Sequence, residues 1–174
     1  MEREYFRLGN IQELEDWLET TDYFTAPAST CFHGCEVGGL YTHSYNVAAL
    51  LVEWTDRLGL VWQDRRSPYV IGLLHDVCKI NNYVWNDETK TWVYNPDLVG
   101  VNRGHGSLSV KMIEEQGFNL TDEERACIRY HMGTWTKDID ESLGDLTYSQ
   151  MIEQYHNVLW THTADMYASQ ILKK

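Results

Sequence analysis

A helical repeat of apolar residues is the feature that most constrains how this chain folds. From Gly39 to Leu58, apolar side chains recur at steps of three and four residues, and Gly59 follows as a helix stop. The same spacing, together with capping residues, predicts helices in several other segments. They are a short helix opened by an Asn10–Glu13 capping box and running through Leu18, Tyr69–Lys79 behind a Ser67-Pro68 start, Gly104–Gln116 before Gly117, a helix opened by a Thr121–Glu124 capping box toward Met132, and about Ser149–Leu172.

One segment departs from this helical pattern. Two aromatic and β-branched runs, at 83–85 and 91–94, flank the polar sequence 86–90. Such runs around a polar turn are typical of a β-hairpin. The 174 residues contain no internal repeat and no linker rich in Pro, Gly or Ser, which favours a single domain over residues 1–174. The sequence therefore predicts an all-α domain with a small β-hairpin inserted at about residues 83–94.

The charge balance limits the kind of partner. The chain carries 14 basic and 26 acidic residues, for a formal net charge of −12. Because proteins grip long nucleic acids by neutralising phosphates with Lys and Arg, this balance disfavours such a partner. No apolar run reaches the length of about 18 residues expected of a membrane span, and the first residues lack the apolar core of a signal peptide. We therefore expect a cytoplasmic protein without a membrane partner, and the sequence leaves open whether it forms an oligomer.

Four ionisable residues lie on the apolar faces of different predicted helices: His43, His75, His131 and Asp165. A buried imidazole or carboxylate costs several kcal/mol unless it is paired or bound to a metal. One such residue is usually a satisfied core residue, but a set of them would need a separate partner for each. Asp76 directly follows His75, and adjacent residues of a helix can reach one metal only at the rim of an open site. The pattern favours a shared metal site, whose imidazole and carboxylate donors suit Fe, Mn, Zn, Co or Ni better than Ca.

The order of these residues resembles the HD-domain superfamily of metal-dependent phosphohydrolases. The resemblance covers about residues 30–170 and is carried by the strings FHGCEVGGLYTHSYNVAALL, GLLHDVCKI, NRGHGSLSV, IRYHMG and HTADMYAS. These strings are most similar to the HD domains of bacterial 3′-to-5′ exoribonucleases and to HD-GYP-like cyclic-dinucleotide phosphodiesterases. The first string shares their H…GGL…H pattern, and the second shares their HD-x-x-K pattern. The resemblance implies an HD-domain helical bundle that hydrolyses a phosphoester of a nucleotide or other small phosphorylated molecule.

The resemblance also implies a site for one or two divalent transition metals. Asp76 would bridge the two ions, and a metal-bound hydroxide would attack phosphorus, so that no serine or cysteine nucleophile is needed. The implied ligands of the first ion are His43, His75, Asp76 and Asp165, and those added by the second ion are His105 and His131. His105 stands between two glycines at a predicted helix start, where small residues allow a close approach.

Three further residues are assigned to substrate or catalysis by the same resemblance. Lys79 of the HD-x-x-K pattern would contact the substrate phosphate, and His33 of the H…GGL pattern would contact the substrate or support the ligands. Arg103 is a candidate phosphate clamp, and an exposed loop arginine is its alternative interpretation. Catalysis would therefore rest on Asp76, Lys79 and His33.

Two other functions stay open from the sequence alone. Di-iron oxygenases of the HD fold, which act on inositol or phosphonates, carry a similar ligand set, and a non-catalytic HD module would only bind nucleotide.

Several side chains also have two interpretations. Cys31 and Cys35 form a zinc clip with His33 or are ordinary thiols, His162 supports the metal ligands or packs at the surface, the hairpin aromatics pack in the core or stack on a base, and Cys78 and Cys127 fit core positions.

Overall fold

The computed structural model describes residues 4–98 and 104–172. Within these ranges the chain forms a bundle of α-helices with one antiparallel β-hairpin, which confirms the predicted fold class. The helices are α1 Glu4–Leu8, α2 Gln12–Glu19, α3 Gly39–Leu58, α4 Ser67–Leu74, α5 His105–Glu115, α6 Asp122–Arg129, α7 Tyr148–Gln154 and α8 Asn157–Gln170, and the strands are β1 Tyr83–Asn86 and β2 Thr91–Tyr94. Short 3-10 turns lie at Val77–Lys79, Pro96–Leu98, Gly133–Trp135 and Glu141–Leu143.

Helix α3 is the centre of the bundle and packs against α4 on one side and α8 on another. On its apolar face, Leu40, Val47 and Leu51 are fully buried. The contact with α4 is unusually close, because a Cβ atom on Gly72 would lie 2.3 Å from Ala48 Cα. The backbones of α3 and α4 therefore touch directly, and this contact fixes the spacing of the two helices that carry His43 and precede His75.

The helix predicted from Gly39 to Leu58 is confirmed over its full length. Helix α3 begins at Gly39 and ends at Leu58, and Gly59 has φ +68°, a left-handed conformation that glycine adopts without strain. The capping box at α6 is also present. The Glu124 amide donates to Thr121 Oγ1 at 3.1 Å, and the Thr121 amide donates to Glu124 Oε2 at 2.8 Å.

Two predicted helix starts are wrong. Asn10 has φ +50° and lies in the tight link between α1 and α2, so that Ile11 occupies the N-cap of α2 instead. Ser67 is already inside α4, and its hydroxyl donates to Glu124 Oε1 at 2.9 Å. At Ser67, helix α6 engages the side chain that local sequence assigned to a cap.

Three predicted helix ends also differ. Helix α4 ends at Leu74 and is followed by a 3-10 turn rather than continuing to Lys79, and α6 ends at Arg129 rather than near Met132. The final predicted helix is two helices, because Tyr155 has an extended backbone that separates α7 from α8. A second capping box, between Thr147 and Gln150, opens α7.

The β-hairpin is confirmed within the predicted range. Tyr83 pairs with Tyr94 and Trp85 pairs with Trp92, so these four rings lie on the same face of the sheet. The Asn86 side-chain oxygen accepts from the amides of Glu88 and Thr89 and closes the turn. Of the four rings, Tyr83 is buried and Tyr94 is more than half exposed, so the hairpin covers one end of the bundle only partly.

Candidate metal centre

The predicted ligands converge from different parts of the bundle. His43 lies in α3, Asp165 lies in α8, and His131 lies just after α6. His75 and Asp76 come immediately after α4, where the helix gives way to the 3-10 turn. Adjacent residues of a continuous helix would diverge by about 100°. The end of α4 at this point therefore allows His75 and Asp76 to face the same centre.

The first cluster has the spacing of ligands that share one ion. His43 Nε2 lies 3.3 Å from His75 Nε2, 3.7 Å from Asp76 Oδ2 and 3.0 Å from Asp165 Oδ1. Donors about 2.0–2.2 Å from a common cation are about 2.8–3.6 Å apart at octahedral or tetrahedral angles. The structure therefore brings these four predicted residues together at distances close to those of a metal site.

Backbone hydrogen bonds orient two of the imidazoles. His75 Nδ1 lies 3.0 Å from the Gly72 carbonyl, and His131 Nδ1 lies 2.7 Å from the Ile128 carbonyl. A carbonyl only accepts, so each Nδ1 carries the proton and each Nε2 presents a lone pair to the cluster. Metal-binding histidines are commonly held in this tautomer by such a bond.

His131 and His105 lie on the other side of Asp76. His131 Nε2 is 3.5 Å from Asp76 Oδ1, and within residues 4–98 and 104–172 this buried nitrogen has no hydrogen-bond partner. A ligand atom of His105 lies within 4.8 Å of an Asp76 oxygen. Because Oδ2 faces His43 and His75 while Oδ1 faces His131, Asp76 lies between two sets of imidazoles.

Gly106 accounts for the position of His105 at the start of α5. A Cβ atom at residue 106 would lie 2.2 Å from the carbonyl oxygen of Arg129, so α5 begins in direct contact with the end of α6. This close approach is the one expected from the glycines around His105. It places His105 and His131, which belong to neighbouring elements, beside the same carboxylate.

A family model for the HD domain matches residues 40–167. The chain belongs to the HD-domain family. The match includes the six predicted ligands, and HD domains bind divalent metals. Comparison with curated proteins and with solved structures gives no significant match. The narrower resemblance of this HD domain to exoribonuclease and HD-GYP-like domains stays a prediction.

Among the described residues of the HD domain, the ligand atoms of His43, His75 and Asp76 form a compact group able to hold a metal ion. A second group, Asp76, Cys78 and His105, shares the same aspartate. Cys31 and Cys35 belong to neither group, so the zinc clip considered from the sequence is not found in the described part of the chain.

Lys79 lies beside the predicted ligands of this HD domain. Its Nζ lies 2.7 Å from Asp76 Oδ2, and both side chains are largely buried. Burial favours the neutral form of each group, but their mutual attraction outweighs it. The pKa of Asp76 is held well below its usual value, and the pKa of Lys79 is raised. The pair is therefore charged at neutral pH.

His33 lies at the entrance, beside the ligands. Its ring centroid is 5.0 Å from that of His43, and its loop is fixed by Ser29, whose Oγ accepts from the His33 amide at 3.1 Å. Burial, reinforced by the nearby His43 and Lys79 side chains, lowers the pKa of His33 to about 4. His33 is therefore neutral at physiological pH. The predicted phosphate clamp Arg103 lies outside the described residues.

The centre opens into a cavity of about 270 Å³. Asp76, Lys79 and Asp165 line its floor, and His33 lies at a point shared with a neighbouring cavity that also contacts His43. The remaining wall contains Tyr83 and Tyr94 of the hairpin, for which the sequence left a base-stacking role open, together with Met132 and Trp135, which sequence analysis had not assigned to a site. The cavity therefore combines ionic groups with aromatic rings.

His162 has a role that its sequence context left undecided. Its Nδ1 lies 2.7 Å from the carbonyl oxygen of His131, and the ring also lines the cavity. His162 precedes Asp165 by about one turn of α8, so one helix carries a predicted ligand of the first cluster and anchors the backbone of His131. The contact supports the interpretation that His162 holds a metal ligand in place.

Proposed function

We propose that this HD domain is a metal-dependent phosphohydrolase that cleaves a phosphoester of a nucleotide or another small phosphorylated molecule. The observation that carries the proposal is the position of Asp76. Its carboxylate lies between His43 and His75 on one side and His131 on the other, beside the ammonium group of Lys79. A carboxylate between two sets of imidazoles, next to the ammonium group of a lysine, suits a divalent cation and a phosphate anion together.

The donor set fits a divalent transition metal. The Nε2 of His131 has no hydrogen-bond partner among the residues that the structure describes, and this nitrogen and the imidazole–carboxylate composition both favour Mn, Fe, Zn, Co or Ni over Ca. The residues proposed to hold the first ion are His43, His75, Asp76 and Asp165, and those proposed for a second ion are Asp76, His105 and His131. When bound, such an ion supplies Lewis acidity toward a phosphoryl oxygen and lowers the pKa of water.

The chain's own residues bind and orient the substrate. Lys79 donates hydrogen bonds only, so its proposed role is to contact a phosphoryl oxygen rather than to ligate a cation. Neutral His33 can donate from one ring nitrogen and accept at the other, which suits contact with the leaving group or with a non-bridging oxygen. Arg103 is proposed as a further phosphate contact.

The cavity wall favours a substrate with a flat ring. Tyr94 is 55% exposed and Trp135 is 72% exposed, and both line the cavity that contains Lys79. Stacking of a base on an aromatic side chain contributes about 1–3 kcal/mol. A nucleotide could therefore place its phosphate at Lys79 and its base against these rings. The net charge of −12 argues against a long polynucleotide, whose phosphates need a basic path.

The test combines metal analysis with a substrate panel. The purified protein should contain transition metal and hydrolyse nucleotides or short oligonucleotides, with steadily weaker activity on long single strands. His75→Ala and Asp76→Ala should lose bound metal and activity together. His156→Ala is the matched control, because His156 is exposed and contacts the Ile152 carbonyl away from the centre.

Three results would overturn the proposal. Full turnover in His75→Ala and Asp76→Ala would place catalysis elsewhere. Oxygen consumption with a phosphonate or inositol substrate, without phosphoester cleavage, would assign the HD domain to the oxygenases. Nucleotide binding without any turnover, in protein that carries its full metal content, would make it a binding module.

A further inference from the structure

Cys78 lies beside the second set of ligands, although its sequence context predicts only a core residue. Its Sγ is 3.5 Å from His105 Nδ1. The ligand atoms of Asp76, Cys78 and His105 all lie within 4.8 Å of one another. A sulfur at about 2.3 Å and an imidazole nitrogen at about 2.0–2.1 Å from a tetrahedral ion would be about 3.6 Å apart. The observed spacing of sulfur and nitrogen therefore matches a shared cation.

The backbone holds Cys78 in this position from two directions. Residue 78 belongs to the 3-10 turn that follows Asp76, and its amide donates to Ser109 Oγ at 3.2 Å. Ser109 lies about one turn after His105 on α5. The hydrogen bond therefore ties the turn that carries Cys78 to the helix that carries His105, and the pairing of sulfur and imidazole does not depend on a flexible loop.

A second observation points independently to a ligand at this place. His131 is 1% exposed, and its Nε2 is 3.5 Å from the same aspartate, through Oδ1. Considering only residues 4–98 and 104–172, this nitrogen is buried without a hydrogen-bond partner. A buried imidazole with an unused lone pair costs free energy unless something occupies the space in front of it.

We infer that Cys78 is a ligand of a thiophilic divalent cation, such as Zn²⁺, held at the second position together with Asp76, His105 and His131. The inference rests on the proposed metal site but not on the proposed reaction. As the sulfur–metal bond forms, the thiol releases its proton to solvent, because the thiolate is the ligand form of cysteine. A sulfur donor makes this position prefer soft or borderline ions over Mn²⁺, whereas the first position has nitrogen and oxygen donors only.

The test uses Cd²⁺ as the probe, because a Cd²⁺–thiolate bond has an ultraviolet charge-transfer band. Cys31→Ser and Cys35→Ser are combined in the full chain to remove the two loop thiols, and this background protein is titrated with Cd²⁺. The band should develop as Cd²⁺ fills the position that contains Cys78, and it should be lost in Cys78→Ser. The affinity for that ion should fall by at least the roughly 10–100-fold that loss of a supporting residue costs.

Cys127→Ser is the matched control, because Cys127 is a buried thiol in the core outside both ligand groups found among the described residues. It should retain the band in full. Circular dichroism of each variant, with Cys78→Ala as a second replacement, separates loss of the ligand from loss of the fold.

A band of undiminished intensity in Cys78→Ser, or none in the background protein, would overturn the inference and leave Cys78 as a hydrogen-bond partner of His105. If Cys78→Ser loses the band but the background protein has no phosphoesterase activity, the cation site is supported and the proposed reaction is refuted. If the background protein has phosphoesterase activity but Cys78→Ser keeps the band, the proposed reaction is supported and the cation site is refuted.

Discussion

Replacement of Lys79 by methionine should destabilise the metal-free protein strongly and the metal-loaded protein weakly. Lys79 Nζ lies 2.7 Å from Asp76 Oδ2, and the two side chains are 13% and 4% exposed. Removal of one partner of a buried ion pair leaves the other charge uncompensated, which costs about 3–5 kcal/mol. A divalent cation ligated by Asp76 supplies a positive charge of its own, so it should remove most of that cost.

The expected change is large enough for routine measurement. For a chain of this size, about 1 kcal/mol shifts the melting temperature by about 2–4 °C, so Lys79→Met should lower it by about 6–20 °C in the presence of a chelator. Calorimetry with chelator and with Mn²⁺ gives the two states. Lys111→Met is the control, because the Lys111 side chain is 68% exposed and its contact with Glu115 is 3.7 Å long. Such a surface pair contributes about 0–1 kcal/mol.

Either of two outcomes would refute this reasoning. If Lys79→Met and Lys111→Met lowered the melting temperature equally in chelator, Lys79 would not be compensating a buried charge. If Lys79→Met were equally destabilised with and without Mn²⁺, the cation would not replace the ammonium group. The variant should also keep its metal while losing turnover, and loss of metal would show that Lys79 supports the fold rather than the substrate.

Three further predictions concern the surroundings of the centre. His162→Gln should weaken binding of the second ion by about 10–100-fold and leave the first ion unchanged, as measured by equilibrium dialysis, because it loosens the His131 carbonyl. Trp135→Ala should raise the KM for nucleotides by the equivalent of about 1–3 kcal/mol and leave that for a phosphoester without a ring unchanged. Hydrogen bonds from Arg129 hold the pKa of Asp145 below its usual value, so the pair stabilises the fold above the unfolded-state pKa of about 3.9 and loses this effect as pH falls. Denaturant unfolding of Asp145→Asn should therefore show a slightly weaker acid dependence than the wild type, and an identical one would contradict the argument.

The elements that sequence predicted well are those whose signal is local and complete. Helix α3 carries an apolar repeat along its length and a glycine stop, and both of its ends are where they were expected. The hairpin likewise has its strands and its turn within a dozen or so residues. The ligand residues could be singled out because a polar group on an apolar helix face needs a buried partner.

The elements that sequence predicted poorly are decided by distant contacts. The apolar pattern through residues 69–79 continues past the true end of α4, which occurs where Asp76 meets Lys79 and the histidines and where the Cys78 amide bonds to Ser109. The thiol of Cys78 is buried as predicted, but only the fold shows that it faces His105. Trp135 belongs to no sequence motif, because its position on the cavity wall depends on the path of the chain after α6.

The contact between Gly72 and Ala48 determines which parts of this protein can change. The contact is between two main chains. The 3.3 Å separation of the His43 and His75 nitrogens is therefore set by the packing of the two backbones rather than by the volumes of the surrounding side chains. The Gly72 carbonyl also accepts the hydrogen bond from the His75 ring, so the same residue determines the orientation of that imidazole. Core side chains elsewhere along α3 and α4 can therefore be exchanged for others of similar size without changing the distance between the two imidazoles. At residue 72, even one added methyl group would push the two helices apart and carry the histidines with them.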